Sequence, residues 1–396
     1  MSSVVELERA GAERDSALVR CTGDPSSFLR DTWGRRALVR VGVDARGFAD
    51  LLSLDDVDRI LSTTSVRTPS FRLVQAGEQI PESAYTRSGT TGSKPVSGMA
   101  DPARIFELFR TGATIVLQGL HRHWEPVTRF VRDLELDLGH PCQVNAYITP
   151  PGAQGLALHA DPHDVFVLQA FGRKAWEVYP APGEPEREPA RADVASGDAI
   201  YMPKGTLHAA STQETLSGHL TVGVHVTQWR EVLGEAWKQV VRDLSLNEPV
   251  PPGWTRDQER VARELAGRLA AAAAALERVD AREVVEERSV AFGSTRASLL
   301  RGALADQLEL DRIDDGTLLE RRPGAVCELL LQGDRLVALL GDRRLEMPAW
   351  LQPAMRRIAS ETALRVADLS EEIPDPGSRT VLMRRLAREG LLRPVR

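Results

Sequence analysis

The stretch from Gln143 to Thr227 constrains the fold more than any other part of this 396-residue chain. Short β-rich runs, VNAYITP, DVFVLQAF, KAWEVYP, DAIYMP and HLTVGVHVT, follow one another with Pro/Gly turns between them. Runs of this length and composition, bounded by turn residues, read as strands, and a series of them builds a sandwich or barrel. A charged segment, APGEPEREPARADVASG, interrupts the series before Asp198 and reads as a loop.

Inside this β-rich region lies Leu158-His159-Ala160-Asp161. Side chains at i and i+2 of a strand point to one face, so His159 and Asp161 can converge on one ion. A third ligand must come from a neighbouring strand. His208 is the best candidate, because it follows the strand DAIYMP and the tight turn KGT. His163, His219 and His225 compete for the same role. His163 is also two residues from Asp161, but Pro162 disturbs a regular strand there. His219 and His225 are six residues apart on the next strand and so share a face. Both read more simply as hydrogen-bonded core histidines. Two neutral imidazoles and one carboxylate leave coordination positions open, which is the arrangement of non-haem iron oxygenases. A bare His-x-Asp pair is common. It gains weight here from the β-rich setting, the turn-borne His208 and the Gly197-Asp198 turn before the second ligand strand.

The flanking sequence is more helical. FLRDTWGRRALVR (28–40) reads as a helix end, a turn at Gly34 and a strand, and DLLSLDDVDRILS (50–62) has helical spacing of its apolar residues. Residues 81–100 are polar and rich in Ser, Thr and Gly, and read as a long functional loop. Asp101 to Arg110 is a short amphipathic helix, followed by a strand from Ala113 to Leu117. After Trp229 the strands stop. Glu259 to Val279 is an Ala- and Leu-rich helix. Its small-residue face suits either a bundle or dimer contact or packing on its own domain. Near the C-terminus, CELLLQGDRLVALL reads as a hairpin turning at Gly333-Asp334, with RLEMP a further strand. Helices follow at Pro348 to Ser360, with Pro348 near its first turn, at Thr362 to Leu369, and at Ser378 to Glu389, stopped by Gly390. Helices plus a small β-ribbon suggest a winged helix.

Length and a 42% hydrophobic content are enough for two or three domains. Lys and Arg total 50 against 56 Asp and Glu, and this net charge of -6 argues against wholesale nucleic-acid binding. Cys21, Cys142 and Cys327 are too few and too dispersed for a disulfide framework or thiolate zinc site. The opening MSSVVELERAGAERDS lacks the apolar segment of a secretory signal, and no apolar run approaches a membrane span. The expectation is a soluble cytoplasmic protein with no membrane partner.

The run NAYITPPGAQGLALHADPHDVFVLQAFGRKAWEVYP, followed by SGDAIYMPKGTLHAAS, resembles the JmjC-type ribosomal oxygenases of the cupin superfamily. The resemblance is dense over residues 110–228 and looser in layout elsewhere, including DTWGRRALVR. It implies an α+β chain: a double-stranded β-helix (jelly-roll) catalytic core over 1–228, a helical dimerisation region over 229–312 and a winged helix over 313–396. It implies an Fe(II)- and 2-oxoglutarate-dependent dioxygenase that uses O2 to hydroxylate a protein side chain, Arg or His of a ribosomal protein, and that forms a homodimer. The family's metal triad falls on His159, Asp161 and His208. Its basic anchor for the distal carboxylate of 2-oxoglutarate falls on Lys174, a role for which a buried cation is needed. Arg173 is one residue out of phase. Asn145, Tyr147 and Thr221 match residues lining the co-substrate pocket.

Other readings remain open at this stage. Substrate choice lies in loops such as 81–100 and 180–197, so a hydroxylase of a free amino acid or peptide natural product is an alternative. An acidic cleft would suit a basic ribosomal tail. A metal-binding cupin without catalysis, with a winged helix reading DNA through Arg384, Arg385 and Arg388, is another, opposed by Glu389 and the acidic DLSEEIPD. Lysine demethylation is a third, although no aromatic cage is evident.

Overall fold

The structure, a computed structural model, describes residues 16–396 apart from 45, 154–156, 180–181, 183–187, 212–214 and 245. Two compact units divide the chain, separated between Val226 and Thr227.

The first unit is built on antiparallel strands: β1 (Leu38–Arg40), β2 (Phe71–Gln75), β3 (Glu78–Gln79), β4 (Thr86–Thr91), β5 (Lys94–Ala100), β6 (Thr114–Leu117), β7 (Cys142–Thr149), β8 (His159–Ala160), β9 (Asp164–Val178), β10 (Ala190–Ala195), β11 (Ala199–Met202), β12 (Leu207–Ser211) and β13 (Ser217–Val224). The main sheet runs β1-β11-β9-β13-β7-β6-β2-β3. Among the described residues this unit has five α-helices: α1 (Ala17–Thr22), α2 (Pro25–Asp31), α3 (Leu54–Thr63), α4 (Pro102–Arg110) and α5 (Glu125–Leu138). Ser16, Asp24, Ser53 and Asp101 cap α1 to α4 by accepting from backbone N–H groups of the first turn.

Strand alternation creates two environments. Val144, Ala146 and Ile148 of β7 join the helix-covered core, as do Leu220, Val222 and Val224 of β13. The intervening Gln143, Asn145, Tyr147, Thr149, His219, Thr221 and Gly223 line a cavity on the opposite face. The period of two therefore decides which residues meet solvent or ligand.

DVFVLQAF and KAWEVYP are not two strands but one, β9. Its first half pairs with β13 and β11, its second with β10 and β12. The crossing is at Gly172, whose φ is 67° and where a Cβ would lie 1.7 Å from the Leu216 carbonyl oxygen. Only glycine fits both conditions. One strand thus serves both walls of the expected double-stranded β-helix.

Two loop expectations are corrected. Residues 86–100 form the hairpin β4–β5. Its two strands are largely exposed, so they carry no apolar alternation, and Ser, Thr and Gly masked the period. Within the charged segment 181–197, residues 190–195 are β10 and pair with β9; much of the remainder lies outside the described residues.

The second unit begins with α6 (Trp229–Asp243), α7 (Gln258–Leu276) and α8 (Ala281–Gly293). It continues through α9 (Ala303–Gln307), β14 (Leu318–Arg321), β15 (Glu328–Gln332), β16 (Arg335–Leu339), β17 (Arg344–Pro348), α10 (Gln352–Ser360), β18 (Ala363–Arg365), α11 (Pro376–Arg388) and β19 (Leu392–Pro394). β15, β16 and β17 form one sheet, turning at Gly333-Asp334, and β18-β14-β19 another. Pro348 both ends β17 and caps the 3-10 turn Ala349–Leu351, which runs directly into α10 with Pro353 in its first turn. Residues 363–365 are a strand, because they complete β14, and only 366–369 turn helically, as a 3-10 segment. Arg384 donates to the carbonyls of Asp311 and Ile313 at 2.8 and 2.7 Å, and Arg385 pairs with Glu389 at 2.8 Å. None of the described helices is long and apolar enough to cross a membrane.

Replacing Gly172 with Ala should lower the stability of the β-rich unit by about 3 kcal/mol, since a left-handed backbone and a backbone clash coincide there. Chemical denaturation checks this; an unchanged midpoint would mean that β9 does not turn at this point.

Candidate metal centre

The two-residue strand β8 pairs with β12 so that His159 stands directly opposite His208. Their ring centroids are 4.3 Å apart. Asp161 follows immediately, and its carbonyl accepts from the Gly205 N–H at 3.0 Å. The turn 203–206 is therefore tied to the His-x-Asp segment from below. Asp164 ties it from the other side, accepting from the Lys204 N–H at 2.9 Å and from the Tyr201 hydroxyl. The Tyr201 oxygen accepts from Gly34 N–H at 2.8 Å, so the DTWG turn supports the site from a distance. Asp198, in the Gly-Asp turn singled out in the sequence, accepts from Gly42 and Ala195 N–H groups and is structural.

His159, Asp161 and His208 present ligand atoms that all lie within 4.8 Å of one another. Both imidazoles are held in the same way. His159 Nδ1 lies 2.8 Å from the Ala157 carbonyl and His208 Nδ1 lies 2.9 Å from the Thr206 carbonyl. A carbonyl only accepts, so each Nδ1 carries the hydrogen and each Nε2 keeps a free lone pair. Burial lowers the pKa of His208 and favours the neutral ring that a metal requires. The donor set fits a divalent first-row metal with coordination positions to spare.

Lys174 is 4% exposed and lines the same cavity. Arg173 faces outward and pairs with Asp193 at 2.9 Å. Burial lowers the Lys174 pKa to about 8, and no carboxylate among the described residues opposes that shift. Trp176, two residues on, shares the inward face; Lys174 Nζ is 5.8 Å from its ring centroid. His219 Nδ1 and Trp176 Nε1 are both buried without a hydrogen-bond partner among the described residues. A buried cation flanked by two unanswered nitrogens is a site that an anion would complete.

Tyr147 stacks on His219 with centroids 5.2 Å apart and planes 6° from parallel. Burial raises the Tyr147 pKa, and the nearby positive charge of Arg72 works against that rise. Asn145 Oδ1 accepts from Gly119 N–H at 3.0 Å, and Thr221 lies between Asn145 and Val167 in the sheet. All three sequence-selected residues line the cavity.

The remaining histidines separate. His163 lines the cavity and meets His225 edge-on at 5.3 Å. His225 lies one residue beyond the end of β13, is exposed, and does not line the cavity as His219 does. His219 is buried but is not the fully hydrogen-bonded core histidine expected. The acidic cleft is corrected too: among the described lining residues Asp161 is the only acid, beside Arg72 and Lys174. Sequence reasoning missed Arg72 and Trp176. Trp176 was within reach, two residues from Lys174 on an inward strand face. Arg72 in FRLVQ carries no local signal, because only the closed sheet brings β2 to the cavity.

Residues 120–232 match the family described as JmjC domain. The chain is 29% identical over 219 residues to human ribosomal oxygenase 1, covering 51% of this chain and 33% of that protein. It is 28% identical over 227 residues to the bifunctional lysine-specific demethylase and histidyl-hydroxylase NO66 of Drosophila erecta, covering 51% and 32%. The chain thus spans about a third of the length of these curated relatives. The solved ribosomal oxygenase YcfD of Escherichia coli, in complex with cobalt and 2-oxoglutarate, superposes with a TM-score of 0.56 at 20% identity, covering 94% of this chain and 99% of that one. Residues 120–232 thus carry the JmjC match, and around them the chain is similar in sequence to ribosomal oxygenases and in fold to the Escherichia coli protein.

Alanine at His159, Asp161 or His208 should weaken Co(II) binding by more than the roughly tenfold lost when an outer partner of a ligand is removed. His225→Ala should leave binding unchanged. Titration calorimetry with circular dichroism as a folding control checks both.

Proposed function

We propose that this chain is an Fe(II)- and 2-oxoglutarate-dependent oxygenase that hydroxylates a protein side chain, an arginine or histidine of a ribosomal protein. The observation that carries the reading is the coexistence, in one cavity, of the His159–Asp161–His208 donor set and the buried Lys174, which has no carboxylate partner among the described residues. The fold of a ribosomal oxygenase solved with cobalt and 2-oxoglutarate supports it.

His159 Nε2, His208 Nε2 and the Asp161 carboxylate would hold Fe(II). When bound, iron with 2-oxoglutarate supplies oxygen activation, in which O2, the keto acid and a substrate C–H bond give succinate, carbon dioxide and an alcohol. The chain's own residues bind and orient. Lys174 neutralises the distal carboxylate of the co-substrate, with Thr221 beside it. Asn145 and Tyr147 shape the wall against which co-substrate and substrate lie. The Nδ1–H bonds to Ala157 and Thr206 keep both rings aimed at the ion.

The wider layout belongs to the same reading: a catalytic domain over 1–228, a helical dimerisation domain over 229–312 and a winged helix over 313–396. A homodimer is supported by exposed apolar side chains on α6 and α7. Trp229, Leu233 and Trp237 repeat every fourth residue, and Leu265, Leu269 and Leu276 lie on α7. A DNA role for the final helix is disfavoured, since Arg384 and Arg385 are already engaged. A cytoplasmic setting with ribosomal substrates follows from the same proposal.

Three measurements test this. With Fe(II), 2-oxoglutarate and ribosomal protein, the chain should release succinate and add 16 mass units to a protein, and His159→Ala should do neither. No succinate under any condition would sink the reading. Because only protonated Lys174 attracts the carboxylate, affinity for 2-oxoglutarate should be flat at neutral pH. It should then fall by up to about tenfold per pH unit above about 8. Lys174→Arg should remove that fall; a wild-type profile flat to pH 10 would contradict the role of Lys174. Finally, Leu233→Asp should convert a dimer to a monomer in sedimentation experiments, and a wild-type chain that is monomeric at micromolar concentration would contradict the dimer.

A further inference from the structure

The metal site uses only the backbone of the motif DTWGRRALVR. Its arginines are left over. Between residues 25 and 43 the chain carries four arginines, Arg30, Arg35, Arg36 and Arg40, and a single acid, Asp31. The chain as a whole has a net charge of -6, so this local excess of three positive charges runs against its overall sign.

The backbone of the segment is fixed. The Thr32 and Trp33 N–H groups both donate to the Phe28 carbonyl at 2.9 Å, and those of Arg35 and Arg36 return to the Thr32 carbonyl. Gly34 N–H donates to the Tyr201 hydroxyl and Gly42 N–H to Asp198, so the stretch is pinned at both ends. Between them β1 pairs with β11, with Arg40 opposite Ala199. β1 is the terminal strand of the main sheet, and no described strand lies beyond it. The Trp33 ring stacks on Tyr201 and on His140.

The side chains are not fixed in this way. Arg35, Arg36 and Arg40 are exposed. Asp31 is taken by Arg30 at 2.9 Å, and Arg35 donates one N–H to the Arg30 carbonyl. Arg36 and Arg40 have no hydrogen-bond or ion-pair partner among the described residues. Elsewhere on this unit Arg104, Arg129, Arg173 and Arg191 each face an acid. Arg36 and Arg40 are at most about 14 Å apart along the chain, a length over which a nucleic-acid strand offers several phosphates. A guanidinium meets phosphate as a fork of parallel hydrogen bonds. A rigid backbone that presents uncommitted guanidinium groups lowers the ordering cost of such a contact.

We propose that Arg35, Arg36 and Arg40 form a phosphate-binding strip that docks the β-rich unit on RNA. The choice of RNA rests on the reading above: a ribosomal protein in its particle lies against RNA, and a strip that grips the phosphates holds the enzyme beside its substrate.

Fluorescence anisotropy of labelled ribosomal RNA stripped of protein, titrated with the full chain free of iron and 2-oxoglutarate, tests this apart from catalysis. Wild-type chain should bind, with log affinity falling linearly with log salt. Arg36→Glu/Arg40→Glu should bind at least about tenfold more weakly at low salt, with a slope shallower by about 1.5. Arg36→Lys/Arg40→Lys should keep the slope, and circular dichroism checks that both variants fold. No binding at low salt, or an unchanged affinity and slope in the folded glutamate variant, would overturn the strip. Tighter binding of duplex DNA or of polyglutamate would overturn the choice of RNA. Failure to form succinate would instead overturn the oxygenase reading and leave a salt-dependent RNA contact in place.

Discussion

The pairing of β8 with β12 is the contact on which the site depends. It is only two residues long, yet it places His159 opposite His208, and the Gly205–Asp161 backbone bond extends it by one step to the carboxylate. A cross-strand pair fixes side-chain separation far more tightly than a loop can. The two imidazoles then need only one further constraint, the orientation of each ring, which comes from a carbonyl two residues earlier in both cases. Asp164 and Tyr201 carry this arrangement back to the main sheet and to the turn at Gly34. Residues far apart in sequence therefore serve a single geometry.

The same cavity stores unfavourable electrostatics. Among the described residues, the buried Lys174 has no carboxylate partner, and His219 Nδ1 and Trp176 Nε1 are buried with no hydrogen-bond partner. Each such group costs free energy in the folded chain. The cost is tolerated because β9 is held on both walls of the β-helix, by β13 and β11 on one side and by β10 and β12 on the other. A rigid strand keeps the cation where an incoming dianion would relieve it. Stability spent in this manner is characteristic of binding sites, and it is the physical ground on which the proposed role of Lys174 rests.

Much of this was legible in the sequence, for local reasons. His159 and Asp161 follow from the two-residue period of a strand, and His208 from the turn that precedes it. Lys174 was pointed to only by the family resemblance, since after Gly172-Arg173 it reads as an exposed turn lysine; the strand period adds only that Arg173 is out of phase with it. The missing parts were those that depend on closure of the sheet. Arg72 comes to the cavity only because β2 is joined to β7 through β6, which no short-range pattern records. The hairpin β4–β5 was hidden because strands exposed on both faces need no apolar alternation. The continuity of β9 through Gly172 was hidden because a glycine at a strand crossing looks like a glycine in a turn. The segment 363–365 reads as helix by composition but is drawn into a strand by the edge of β14, where tertiary pairing overrides propensity.

The central claim is that one cavity holds a divalent metal on His159, Asp161 and His208 and a dicarboxylate on Lys174. A crystal structure of the full chain grown with Mn(II) and 2-oxoglutarate measures this most directly. The account predicts the ion on both Nε2 atoms and the Asp161 carboxylate, with the distal carboxylate against Lys174 Nζ. An ion bound through Nδ1 or at other residues, or a dicarboxylate lying away from Lys174, would contradict it.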